Sequence, residues 1–309
     1  MNGLHYFLLS LAAIFILLYL LSPKRPRIAF IYLRYVVLIL VGWVVLSPFI
    51  WLICSAFKDQ TVLMKYTFLP PVSEWSTETL NMESFKTLFA GEETLQGKVY
   101  FWQYIFNSLF LATALVTIQL FFSSLGGYAL AKYNFRAKKF VMFFMLGSMM
   151  IPPIIFLAPV YKLIVTIGWV NSYKALLVPG AVSVFGMFLF RQAMVGIPND
   201  LIEAARVDGC SEFMIYLRLV MPLVRPMSGA FCLVTFLYSW NNFLGPQIFI
   251  HSQSKLTLPV MLNQYVSVYE FKYGVFLAGT LLAIIPPAIL FFSLQREFIS
   301  GLSSGAVKG

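Results

Sequence analysis

Histidine is almost missing. His5 and His251 are the only two in 309 residues, so an acid–base or metal site built from several histidines is not available within the chain. Cysteine is nearly as scarce. Cys54, Cys210 and Cys232 lie far apart with no metal-ligand spacing, which leaves them as small buried hydrophobes. Only 11% of residues are charged, and none of the 12 acidic residues falls inside a long apolar run. That argues against transport driven by ion coupling, which normally places a carboxylate or histidine within the membrane. A phosphate-cradling loop is missing too. The nearest string, "GEETLQGKV" from Gly91 to Val99, has one residue too many and puts Val99 where Ser or Thr must hold a magnesium ion. "GLSSG" from Gly301 to Gly305 fits a serine nucleophile pattern at Ser303, but no histidine follows it. It reads as a flexible small-residue tail.

What the chain has in quantity is apolar surface: 60% hydrophobic and 17% aromatic. Seven segments are long and apolar enough to cross a bilayer, at about 5–22, 35–57, 103–131, 140–161, 173–195, 226–250 and 273–295. Backbone groups in lipid must be satisfied internally, and barrel-type alternation is missing, so these segments are expected to be helices. The fold class is therefore all-α and polytopic. Proline pairs at Pro152–Pro153 and Pro286–Pro287 should break two of the spans.

The net charge of +10 would suggest nucleic acid in a soluble protein. Here the basic residues sit in short connections, and membrane lipid, not nucleic acid, is the expected environment. Basic residues near 24–34, 132–139, 191–225 and 296–308 number 14, against 8 on the alternate side. The larger set should be cytoplasmic, with the N-terminus outside and the C-terminus inside. Segment 5–22 has its charges after the apolar run, unlike a signal peptide, and reads as a retained span. The acidic connection 58–102 falls outside and is long enough to be a docking surface or a spacer.

One stretch stands apart. "IPNDLIEAARVDG" has helix signals: Asp200 as a cap with Glu203 three residues on, and Gly209 where a left-handed terminating residue is wanted. A second helical stretch, Ser211 to Val220, should stop at Pro222. Leu201, Ile202, Ala205 and Val207 give the first helix an apolar surface that need not face its own bundle. Further on, Tyr238, Trp240, Asn241 and Asn242 place aromatic and amide groups within a span, where polar side chains mark a candidate substrate pathway, although amides also bond helix to helix. Tyr238 and Asn241, three apart, should share a face.

"EAARVDG…LVMP" resembles the E-A-A-x3-G-x9-I-x-L-P motif of permease subunits of binding-protein-dependent ABC importers. Glu203, Ala204, Ala205, Gly209 and Pro222 match; Leu219 and Met221 are conservative departures. The resemblance runs from about residue 100 to the end. "SWNNFLGPQIF" and "GLSSGAVKG" are similar to the carbohydrate branch, near the smaller permease of maltose-type importers. It implies a six-span transmembrane domain over 35–309 with a coupling helix near 200–220, leaving 1–34 as an extra N-terminal helix and basic loop. It implies a bacterial inner-membrane protein without cofactor or enzymatic activity of its own. Its partners would be a second permease, two copies of a cytoplasmic ATPase and an extracytoplasmic binding protein that delivers sugar. Glu203, Ala204, Ala205, Asp208, Gly209 and Pro222 would couple to the ATPase. The same machine importing glycerol-phosphate or an amino-acid derivative is the alternative, followed by an ATPase-independent secondary transporter.

Overall fold

The computed structural model describes residues 13–19, 25–94, 97–267 and 270–306. The chain divides into two units, Met1–Asn81 and Met82–Gly309. In the first, residues 13–19 are helical, and the rest of the expected 5–22 span lies outside the described residues. Helix α1, Arg25–Ala56, is apolar along nearly its whole length and long enough to cross a bilayer. It starts earlier than the expected span, so residues 25–34, read from sequence as a basic loop, are helical. Beyond it the chain folds over Lys58, whose side chain is 1% exposed. The Lys58 ammonium donates to the Tyr66 carbonyl at 2.6 Å and to those of Leu63 and Thr67 at 3.4 Å. Three carbonyl dipoles replace the water that the buried cation loses.

The second unit is a helical bundle. Its strands, among the described residues, are two short antiparallel hairpins: β1 (Glu92–Thr94) with β2 (Gly97–Val99), and β3 (Val266–Ser267) with β4 (Glu270–Phe271). The string Gly91–Val99 thus forms a hairpin, not a loop at the start of a helix. Its helices are α2 (Glu83–Ala90), α3 (Phe101–Lys132), α4 (Lys138–Met149), α5 (Leu157–Thr166), α6 (Val184–Val195), α7 (Asn199–Val207), α8 (Arg225–Trp240), α9 (Leu244–Phe249), α10 (Leu258–Gln264), α11 (Tyr273–Ala283) and α12 (Ile285–Ala306). The all-α, polytopic class holds.

The spans differ in regularity. α3 and the α11–α12 run are long and apolar enough to cross, as is α1. Segment 140–161 is broken at Pro152–Pro153, where α4 and the helical stretch from Pro153 to Thr166 meet at 90°. Segment 173–195 is also interrupted: helix covers 174–177 and then α6, with irregular backbone between. Side chains of α3 satisfy that backbone. Gln119 Nε2 donates to the Gly180 carbonyl at 2.6 Å and Ser123 Oγ to that of Ser183 at 3.2 Å. Unwound backbone is tolerated at membrane depth only when the protein supplies such partners. Gly301–Gly305 lies within α12, so the expected flexible tail is helical as far as Ala306.

Two cores sit at opposite ends of the bundle. One gathers Leu88, Phe101, Tyr104, Phe236, Trp240, Leu258, Met261 and Val275. The other gathers Tyr128, Phe190, Met194, Ile202, Ile215, Tyr216, Val220 and Phe231. Phe190 of α6 and Phe231 of α8 meet edge to face with centroids 5.4 Å apart, a favoured aromatic geometry.

Candidate functional site

The first candidate region is the element from Asn199 to Val224. α7 opens with Pro198 at the cap position and Asn199 as its first residue. The expected capping role of Asp200 does not occur, because the helix begins two residues earlier than that role requires. Proline's fixed φ favours a helix start. The Asn199 carboxamide is engaged by Lys132, which also donates to the Ile197 carbonyl. α7 shows two faces. Ile202 is 3% exposed in the second core, with Ala205 packed against that core. Leu201, Glu203, Ala204, Asp208 and especially Val207, 88% exposed, face away from it. The apolar surface expected to point outward is therefore split: half anchors the helix and half is free.

Gly209 has φ +81°, as its position in the sequence suggested. The Cys210 N–H bonds to the Ala205 carbonyl and the Gly209 N–H to that of Arg206, both at 3.0 Å. This is the Schellman pattern that closes a helix C-terminus. The second helical stretch starts at Ser211, whose hydroxyl accepts from the Met214 N–H at 3.3 Å. It does not stop before Pro222. Residues Ile215–Val220 form a π-helical turn and Met221–Leu223 continue it. The wider turn precedes the position where the proline ring would clash with a carbonyl in α register. The break comes at Val224, where the 212–223 stretch meets α8 at 83°.

Distant residues hold this element. Tyr133, just past α3, donates its hydroxyl hydrogen to Glu212, and Arg206 Nε donates to the same carboxylate at 2.6 Å. Arg206 and Tyr133 together hold the Glu212 carboxyl below its usual range. Tyr216 Oη lies 2.7 Å from Ser124 Oγ inside the second core. None of these partners is legible in the sequence, because each contact joins residues of different helices with no shared spacing. Tyr216→Phe is expected to cost about 1 kcal/mol, the net worth of one hydrogen bond. The Ser124 hydroxyl keeps its bond to the Leu120 carbonyl, so the thermal midpoint of the purified protein should fall by only a few degrees. A fall as large as that of a cavity-forming Tyr216→Ala would refute the estimate.

The second candidate region is a cavity of about 560 Å³ lined by Leu237, Trp240 and Asn241 of the α8 end, by α10, and by Thr280, Ala283, Pro287 and Phe291 of α11 and α12. α8 ends at Trp240, so the expected span 226–250 is not one helix. Asn241 and Asn242 sit at the break and serve its backbone. Asn241 Nδ2 donates to the Leu237 carbonyl at 2.9 Å, and Asn242 Oδ1 accepts from the Gly245 N–H at 3.2 Å, starting α9. Trp240 is 3% exposed and stacked on Phe236. Tyr238 is 68% exposed and does not line this cavity. The expected shared face of Tyr238 and Asn241 is therefore not the cavity wall. Asn241 joins Leu237 and Trp240 there instead.

A family profile described as "Binding-protein-dependent transport system inner membrane component" matches residues 123–302, which include both regions. The chain belongs to this family. Among relatives of this inner membrane component, the arabinooligosaccharides transport system permease protein AraQ of Bacillus subtilis is 36% identical over 264 residues, covering 85% of this chain and 91% of the relative. AraQ of Halalkalibacterium halodurans is 35% identical, covering 87% and 93%. The lactose transport system permease protein LacG of Rhizobium radiobacter is 30% identical, covering 94% and 100%. In fold, the permease matches a chain of a bacterial ABC transporter involved in the import of alginate, with a TM-score of 0.73 at 20% identity over 90% of this chain and 98% of that one.

Proposed function

We propose that this permease forms, with a second permease, the membrane pathway of an ATP-driven importer for a sugar or oligosaccharide delivered by an extracytoplasmic binding protein. The observation that carries the coupling half is the two-faced α7. Ile202 ties it to the bundle while Leu201, Glu203, Ala204, Val207 and Asp208 are free to dock. A helix anchored on one face and open on the other transmits movement between a partner and its own bundle. Two copies of a separate ATPase supply the hydrolysis. Pro222, in the turn that follows the π segment, sets the angle at which this element leaves the bundle. The sugar class is supported by the relatives, whose names specify arabinooligosaccharides and lactose. The excess of basic residues near 24–34, 132–139, 191–225 and 296–308 supports a cytoplasmic position for α7 in a bacterial inner membrane, with the C-terminus inside and the N-terminus outside.

On the substrate side, Asn241 is the polar group of the α8 break that faces the cavity. A neutral hydrogen bond to a hydroxyl is worth about 0.5–1.5 kcal/mol, so Asn241→Ala should weaken apparent uptake affinity roughly threefold to tenfold. The test is uptake of labelled arabinooligosaccharides and lactose by proteoliposomes holding the assembled importer, with ATPase retention followed in parallel. Unchanged affinity with normal assembly would move the sugar contacts to the other permease. Uptake of neither sugar, with an active ATPase, would overturn the substrate class.

A further inference from the structure

The proline pair in the first turn of α12 leaves two carbonyls at the end of α11 without their helical donors. In an unbroken helix the N–H groups of residues 286 and 287 would bond to the carbonyls of Leu282 and Ala283. Pro286 and Pro287 have no N–H. The ladder resumes only at Ala288, whose N–H reaches the Ile284 carbonyl at 3.0 Å. The Ile284 N–H turns back to the Leu282 carbonyl. The Ala283 carbonyl takes a donor from another helix: the indole Nε1–H of Trp240, at 3.2 Å and 43 residues away in sequence.

Trp240 is therefore not free to offer its ring to a sugar. It is buried, stacked on Phe236 with centroids 5.7 Å apart at 12°, and its one polar atom is used. Its position is telling. It is the last residue of α8, immediately before Asn241. Both ends of the bond line the same cavity, with Trp240 and Asn241 contributed by the wall at the end of α8 and Ala283 and Pro287 by the adjoining wall of α11 and α12. An indole N–H is a donor only and a carbonyl left by proline needs a donor, so each group answers the other's requirement.

We infer that Trp240 is a positioning residue for the substrate. Its bond to the Ala283 carbonyl fastens the proline break of the last span to the end of α8, and so fixes the width of the cavity that Asn241 faces. The inference rests on the reading of this cavity as part of the pathway. The ring's packing alone would hold Trp240 in place in either case; the N–H is what ties the two walls.

The chemistry supplies its own control. Trp240→Phe keeps an aromatic ring in the core and removes the donor. Pro287→Ala returns a backbone N–H to the Ala283 carbonyl, after which the indole bond is surplus. Two readouts are needed in the assembled importer: the half-saturation concentration for uptake, and the distance distribution between spin labels at Tyr238→Cys and Ile289→Cys in a background without Cys54, Cys210 and Cys232. In the proline background, Trp240→Phe should broaden the distribution and raise the half-saturation concentration roughly threefold to tenfold, as expected for losing one hydrogen bond, with maximal rate and ATPase retention little changed. In the Pro287→Ala background the same change should shift uptake less than about twofold. An unchanged distribution in Trp240→Phe overturns the fastening role whatever uptake does. An equal penalty in both backgrounds shows that the ring and not the N–H matters, and overturns it as well. A broadened distribution with unchanged half-saturation overturns the assignment of the cavity to the pathway, and with it the role in substrate positioning. If Pro287→Ala does not assemble, the spin-label comparison of Trp240 with Trp240→Phe still decides the fastening role.

Discussion

Gly209→Val is expected to cut uptake at least several-fold and to weaken retention of the ATPase, while the chain still inserts in the membrane. Gly209 stands at φ +81° and closes α7 through the paired bonds from Gly209 to Arg206 and from Cys210 to Ala205. A Cβ built there meets nothing within 4 Å. Steric clash with neighbours is therefore not the cost; the backbone conformation itself is. An L-residue in the left-handed region costs roughly 1–2 kcal/mol, and a β-branched side chain is a stronger outlier still. One to two kcal/mol changes the ratio of two states by about 5- to 30-fold. The penalty falls on the turn that sets α7 against Glu212 and the π segment, not on the spans. The substitution series follows from the same physics. Asn, which tolerates this region, should be mildest, Ala intermediate and Val most severe. Uptake, co-purification of the ATPase and membrane-fraction yield, measured for all three, check the order. Normal uptake and normal co-purification with Val would show that this turn is not part of coupling.

The sequence made this turn legible because a helix signature followed by glycine has one economical backbone solution. It also located α3 to within two residues, 103–131 against Phe101–Lys132, since one apolar run ends cleanly in polar and basic residues. The breaks were less legible. Across 226–250 hydropathy stays high while the helix stops at Trp240, whose indole bonds to a carbonyl of residue 283 on another helix. The interruption before α6 depends in the same way on Gln119 and Ser123 of another helix. Pro222 misled in the opposite direction. Proline ends most helices, but the π turn at Ile215–Val220 precedes it and helix continues. Asp200 was the better capping residue by type, yet Pro198 and the engaged Asn199 set the start. At the start of α7 and at the breaks near Trp240 and before α6, residues from other helices take part in ways that no local pattern encodes.

Gly127→Val should destabilise the permease more than any substitution on the exposed faces. Gly127 lies where α3 crosses α6. A Cβ there would sit 2.5 Å from Phe190 Cβ, 2.9 Å from the Arg191 nitrogen and 3.1 Å from the Met187 carbonyl oxygen. Two of the three are backbone atoms, so no rotamer change makes room and the helices must separate. Small residues at such crossings are what lets membrane helices pack closely. Separation would not stay local. Phe190 is fully buried and meets Phe231 of α8, and Ser124, one turn before Gly127, holds Tyr216 of the π segment. Overpacking costs typically 1–3 kcal/mol, and the rigid backbone contacts place this case at the upper end. At roughly 2–4 °C per kcal/mol for a unit of this size, the thermal midpoint should fall by about 6–12 °C. Gly147, on α4, is the matched control, since a Cβ there meets nothing within 4 Å. Gly147→Val should stay within about 0.5 kcal/mol of the parent. The measurement is the temperature at which the detergent-solubilised importer loses its monodisperse elution peak. Equal losses for the two valine variants would mean that the α3–α6 crossing is not tight, and that the second core, with α7 anchored on it through Ile202, tolerates movement that this packing forbids.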